Sequence, residues 1–103
     1  MPFITVYTTN KNLAEAKKIA NSLLKQKLIA CANFFPIKNM YWWKGKIEND
    51  NEVVSILKTR KENWNKVKNQ IKKLHSYEVP CIEKFNVSAN KDYENWIIKS
   101  TKK

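Results

Sequence analysis

The chain has one glycine and one histidine among its 103 residues, with three prolines and two cysteines. The single glycine, Gly45, excludes a phosphate-cradling glycine loop, and no glycine stands near a candidate nucleophile to shape an oxyanion hole. Two cysteines, Cys31 and Cys81, cannot make a disulfide framework, so a reducing, cytoplasmic setting is the simpler expectation. No apolar run approaches the roughly 20 residues that a membrane-spanning helix needs. The start, Met1 to Tyr7, enters a strand-like pattern at once, without the charged start and small-residue cleavage site of a secretory leader. Acidic residues are also scarce: nine against 20 basic ones, for a net charge of +11. The basic residues are lysine apart from Arg60, spread along every segment. Lys, Asn and Ile share A/T-rich codons, so the balance reads as a solvated surface rather than as a nucleic-acid footprint. Lys99, Lys102 and Lys103 read as a solvated, fraying tail.

What is present is a regular alternation of short elements, enough for one domain over residues 1–103 with a modest core. Phe3 to Thr8 is β-rich. Asn12-Leu13-Ala14-Glu15 forms a capping box, followed by a helical stripe at Ala16, Ile19, Ala20, Leu23 and Leu24. Leu28 to Phe35 and, past Pro36, Met40 to Trp43 make one long strand. Pro36 has no N–H to give a ladder and belongs at an edge or bulge. Lys44-Gly45 supplies a tight turn. Ile47 to Thr59 is the returning strand, with Val53 to Leu57 as its buried part. Thr59 and Glu62 form a second capping box, before a stripe at Trp64, Val67, Ile71 and Leu74. Cys81 to Val87 is a fourth strand. A last helix from about Asn90 carries Tyr93, Trp96 and Ile97 on one face.

The order β-α-β-β-α-β-α predicts an α+β fold: a ferredoxin-like β-α-β-β-α-β sandwich plus a C-terminal helix. Right-handed crossovers put both main helices on one face of an antiparallel sheet, with the second and fourth strands at its edges. An edge bearing Tyr41, Trp42 and Trp43 is an aggregation template for a monomer, so neighbouring copies are expected to cover it.

Chemistry concentrates at His75-Ser76-Tyr77-Glu78-Val79-Pro80-Cys81-Ile82, where a helical pattern hands over to a strand. Imidazole, phenol, carboxylate and thiol meet at one junction, the kind of place where a rigid scaffold presents polar groups. His75 and Cys81 are the candidate metal ligands, suited to copper or another soft or borderline ion, with further ligands from water or a second subunit. The bland alternative makes Cys81 a small core hydrophobe and the loop a helix stop set by Pro80. Lys58, in an otherwise apolar strand, has a partner, lines a cleft or snorkels to the surface. Trp43, Lys58, His75, Tyr77 and Glu78 are the candidate ligand-binding residues of a cleft between subunits, fit for a metal chelate or small anion.

Several stretches together resemble the CutA (divalent-cation-tolerance) family. They are Leu28-Ile29-Ala30-Cys31-Ala32-Asn33, Pro36-Ile37, Tyr41-Trp42-Trp43-Lys44-Gly45-Lys46-Ile47, and Glu52-Val53-Val54 with Ile56-Leu57-Lys58-Thr59. His75-x-Tyr77-Glu78-Val79-Pro80, Asp92-Tyr93 and Trp96 complete the match, in order over nearly the whole chain. The resemblance implies a homotrimer similar in fold to the PII signalling proteins, and a part in tolerance to copper and other divalent metals. Copper sites proposed for the family use a cysteine late in the first strand, a histidine after the second helix and a carboxylate. The corresponding positions here are Thr8, His75 and Cys81, and Ser76 stands where the family usually has proline.

Two other classes remain for comparison. An enzyme would need thiol and imidazole in contact with an orienting group, and no catalytic constellation is visible. A ferredoxin-like RNA-binding sheet would need aromatics on its central strands, whereas Glu52 to Leu57 is aliphatic. No specific nucleic acid and no membrane partner is expected.

Overall fold

The structure, a computed structural model, describes residues 3–102; Met1 and Pro2 of the strand-like start and Lys103 of the tail lie outside them. Four strands form: β1 (Phe3–Asn10), β2 (Cys31–Trp43), β3 (Lys46–Thr59) and β4 (Ile82–Val87). Three α-helices accompany them: α1 (Leu13–Lys25), α2 (Trp64–Leu74) and α3 (Lys91–Ser100). The sheet order is β2-β3-β1-β4, and every pairing is antiparallel. The expected α+β arrangement is thus present, with β2 and β4 at the edges.

Strand alternation separates two faces. Ile4 and Val6 of β1 and Leu57 of β3 join Ile19, Leu23, Val67 and Ile71 of α1 and α2 in one buried cluster. Thr8 and Asn10 continue that face toward the end of β1, and Thr8 lies opposite Ser55. The other face presents Tyr7, Thr9, Phe35, Glu52, Val54, Ile56 and Phe85. α3 reaches it at one end, where Tyr93 packs edge-on against Phe3, with ring centroids 6.0 Å apart. Arg60 ties α3 down at its far end, where Nε donates to Thr101 Oγ1 at 3.0 Å.

Helix ends follow local chemistry. Asn12 caps α1, its Oδ1 accepting from the Glu15 N–H at 2.9 Å. At the other end Leu28 N–H reaches Leu23 O at 2.9 Å and Lys27 N–H reaches Leu24 O at 3.0 Å, a Schellman pair. That closure holds Lys27 at φ 57°, a conformation glycine usually takes. The second capping box does not form. Thr59 is fully buried as the last residue of β3, and its Oγ1 donates to Leu28 O at 2.6 Å. A short 3-10 turn (Lys61–Asn63) intervenes, and α2 starts at Trp64 without a side-chain cap.

β2 and β3 run past the rest of the sheet as an arm. Lys44 (φ 50°) and Gly45 (φ 80°) close it in a two-residue turn that pairs Trp43 with Lys46. Positive φ at both positions matches the twist of the flanking strands. Pro36 sits on the β2 edge, where its missing N–H costs no ladder bond. The arm stretches the protomer to 45 × 24 × 21 Å, with a radius of gyration of 14.2 Å. A chain of this length packed as a ball would give about 13 Å.

A candidate cation-attracting cleft

An open cleft of about 580 Å3 lies between the arm and the loop after α2. Thr9, Asn39, Tyr41, Trp42, Trp43 and Glu52 line it from the sheet; Ser76, Tyr77, Glu78, Val79 and Cys81 line it from the loop. Glu52 anchors it. This carboxylate is 5% exposed. Its Oε2 accepts from the Tyr77 hydroxyl at 2.6 Å, and its Oε1 accepts from Asn39 Nδ2. Farther along the arm, the Tyr41 hydroxyl donates to Asp50. Both arm contacts are diagonal pairs across the β2–β3 ladder, since Asn39 faces Asp50 and Tyr41 faces Glu48.

The loop is held by hydrogen bonds that consume His75. Its side chain is fully enclosed. Nε2 lies 2.7 Å from Thr9 O, and Nδ1 lies 3.1 Å from the Tyr77 N. The carbonyl can only accept and the amide can only donate. Those partners assign the proton to Nε2 and occupy the Nδ1 lone pair. Glu15 completes the anchor: Oε2 accepts from the Ser76 N–H at 3.1 Å, and Oε1 accepts from the Lys11 N–H at 3.2 Å. Burial would raise the Glu15 pKa, but its hydrogen bonds to Ser76 and Lys11 outweigh that and lower it.

The cleft carries a negative field in a chain of net charge +11. Burial, the hydrogen bond to Glu52 and that residue's charge hold the Tyr77 phenol well above the ordinary range. Tyr41 is pushed up to about 12, chiefly by its bond to Asp50. Burial, with Glu83 and Glu52 nearby, pushes the Cys81 thiol up. Tyr7, beside them, is raised by burial and the same charges. Burial is the larger cause for Tyr77, Cys81 and Tyr7 and opposes charge of either sign; the part that favours a cation is the charge of Glu52, Glu83 and Asp50.

The sequence-predicted residues divide accordingly. Trp43, Tyr77, Glu78 and Cys81 line the cleft. His75 stands behind the loop as its anchor. Lys58 is elsewhere: its Nζ donates to the Tyr93 hydroxyl at 3.1 Å, and Cys31 Sγ lies 3.5 Å from the same oxygen. Lys58 lies six positions beyond Glu52, about 20 Å along β3. Thr8 is 1% exposed on the helix-covered face. Its register neighbour Ile82 shares that face, so Cys81 points to the other one.

Among the described residues no three His, Cys, Asp or Glu side chains converge to hold a metal ion. The one-protomer donor set therefore does not fit a closed copper site, and Nδ1 of His75 has no spare lone pair. Sequence reasoning missed Glu52, Asn39, Tyr41, Asp50 and Thr9. The Lys44-Gly45 turn held the signal for four of them, since a two-residue turn fixes the register that brings Asn39 to Glu52 and Tyr41 to Asp50.

Comparison with known proteins agrees with the fold. A profile of the family described as CutA1 divalent ion tolerance protein matches residues 4–100. The divalent-cation tolerance protein CutA of Pyrococcus horikoshii is 50% identical over 101 residues, 97% of this chain and 99% of its own. A solved structure described as the periplasmic divalent cation tolerance protein CutA from Archaeoglobus fulgidus superposes with a TM-score of 0.94. It is 41% identical and covers 99% of this chain and 100% of its own. CutA1 from Oryza sativa superposes with a TM-score of 0.94 at 36% identity, over 99% of this chain and 95% of its own. The nucleic-acid alternative finds no support in these matches.

Proposed function

The chain belongs to the CutA1 divalent ion tolerance family, and on that premise we propose that it acts as a homotrimer whose ligand, copper or another divalent cation, sits in the cleft beside Glu52 and Tyr77. The observation that carries the reading is the buried Glu52 carboxylate at an acidic, aromatic cleft of a basic chain. The cleft is open at its rim, where a second copy could supply further ligands. Trp42 is 72% exposed at its rim.

Of the two expected metal ligands, Cys81 is the better placed, because it lines the cleft. His75 contributes through the loop: releasing Thr9 or Tyr77 would be the condition for it to bind metal directly. A small anion suits the cleft less well, since Lys58 is engaged with Tyr93 at the other end of β3. Cysteine usage favours a cytoplasmic setting.

Calorimetric titration of the metal-stripped protein with copper and zinc, with trace-metal analysis of the purified protein, tests the proposal. Saturable binding should weaken in Glu52→Gln and in Cys81→Ser, and stay unchanged in Cys31→Ser. Binding should also weaken as pH falls, because the thiol must lose its proton. Equal affinity in the Glu52→Gln, Cys81→Ser double variant would place the site outside the cleft.

A further inference from the structure

The helix-covered face is not apolar throughout. Where β1 ends, Thr8, Asn10 and Ser55 stand together, 1%, 0% and 2% exposed. Asn10 Nδ2 donates to Val53 O at 3.1 Å and to Ser55 Oγ at 3.0 Å. Val53 O can only accept, so the amide cannot be turned over, and Oδ1 must face the other way. Asn10 Oδ1 and Thr8 Oγ1 have no hydrogen-bond partner among the described residues. Leaving two buried oxygens unpaired is costly, and native interiors satisfy such groups with protein or ordered water.

The available groups are complementary to one small molecule. Thr8 has an O–H to give. Ser55 Oγ accepts from Asn10, so its own proton is also free to be given. Asn10 Oδ1 can only accept. A water molecule accepting from the hydroxyls and donating to Oδ1 would make three hydrogen bonds, the usual number for a buried water. The spacing suits it: Thr8 and Asn10 share a face two residues apart, about 6.6 Å between Cα atoms, and Thr8 lies directly opposite Ser55. A cation fits less well, since the three oxygens are neutral and two of them carry protons.

We propose that Thr8, Asn10 and Ser55 form an internal hydration site in which one buried water bridges Thr8 Oγ1 to Asn10 Oδ1. Its position gives it a role. Thr9, between the two residues, lines the cleft and accepts from His75 through its carbonyl. The bridge fixes the strand end to which the His75 loop is fastened.

Two measurements decide this. A crystal structure at about 1.5 Å resolution should show ordered density within hydrogen-bond distance of both Thr8 Oγ1 and Asn10 Oδ1. Thr8→Val, nearly the same shape without the hydroxyl, should lower the melting midpoint by about 4 °C or more. Thr8→Ser, which keeps the hydroxyl, should retain the water density. Were the hydroxyl an unbridged orphan, valine would remove a buried polar group at no cost and the midpoint would hold or rise. A dry site, or a Thr8→Val midpoint at or above that of the unmodified protein, overturns the proposal.

Discussion

The two faces of one sheet, built from the same strands, are finished in different ways. The helix-covered face is closed within the chain: Ile4, Val6 and Leu57 are at most 1% exposed beneath α1 and α2. The opposite face leaves Phe35 43% and Phe85 52% exposed, and the arm leaves Met40 and Trp42 more open still. Large apolar side chains exposed together mark an interaction site. Successive side chains point to opposite faces, so the largely apolar runs of these strands put apolar groups on both; what differs is that α1 and α2 cover one of them. The comparison teaches that the cleft, on the unfinished side, is to be read with a neighbouring copy in mind.

The largest expected effect tests the closed face. Leu57→Ala should cost about 2–5 kcal/mol through lost contacts and a residual cavity, at any protein concentration. Phe85→Ala should instead act on assembly, moving dissociation to higher protein concentration with little change in the folding of the separated protomer. Equal destabilisation of a separated protomer by both would erase the distinction. At the arm tip, a Cβ on Gly45 would meet nothing within 4 Å. Gly45→Ala should therefore cost about 1–2 kcal/mol from backbone conformation alone. A larger loss would mean that another copy covers the tip. On the helix layer, Lys27→Gly should gain up to about 1 kcal/mol by relieving the left-handed backbone at the end of α1. Denaturant unfolding measures the three stability effects, and sedimentation at stepped protein concentration measures that of Phe85→Ala.

The smallest effects are in pH. Tyr41 and Tyr77 have raised values in the folded protein, so the stability they contribute is complete below pH 10. It is lost as pH climbs through the folded values, toward about 12 for Tyr41. Spectrophotometric titration should show a late phenol phase that loses amplitude in Tyr77→Phe. Glu15 has a lowered value, so its contribution is present above about 4.5 and fades as pH falls through the folded value. Glu15→Gln should flatten the acid limb of the stability profile. Unchanged profiles in both variants would remove the electrostatic part of the account.

Element order, both edge strands, the Asn12 cap and the Lys44-Gly45 turn were legible in the sequence, because each depends on residues close in the chain. The Thr59 capping box was not: nothing local tells that Thr59 is buried against Leu28, 31 residues away. His75 misled for the same reason. Its two hydrogen bonds reach Thr9, 66 residues off, and Tyr77, two residues on. A lone histidine beside a cysteine reads as a ligand until those partners are known. Half of the cleft was visible as the His75–Cys81 junction. The other half, Glu52 with Asn39, required the register of the arm rather than any residue motif. Lys58 was expected in the cleft with Tyr77; its partner is Tyr93 on α3, 35 residues later.

Sedimentation equilibrium at micromolar concentration tests the central claim, that other copies of this chain finish the open face. The account predicts a single species of three times the 12.2 kDa chain mass. A species at the mass of one chain, stable in solution with its aromatic arm uncovered, would contradict it.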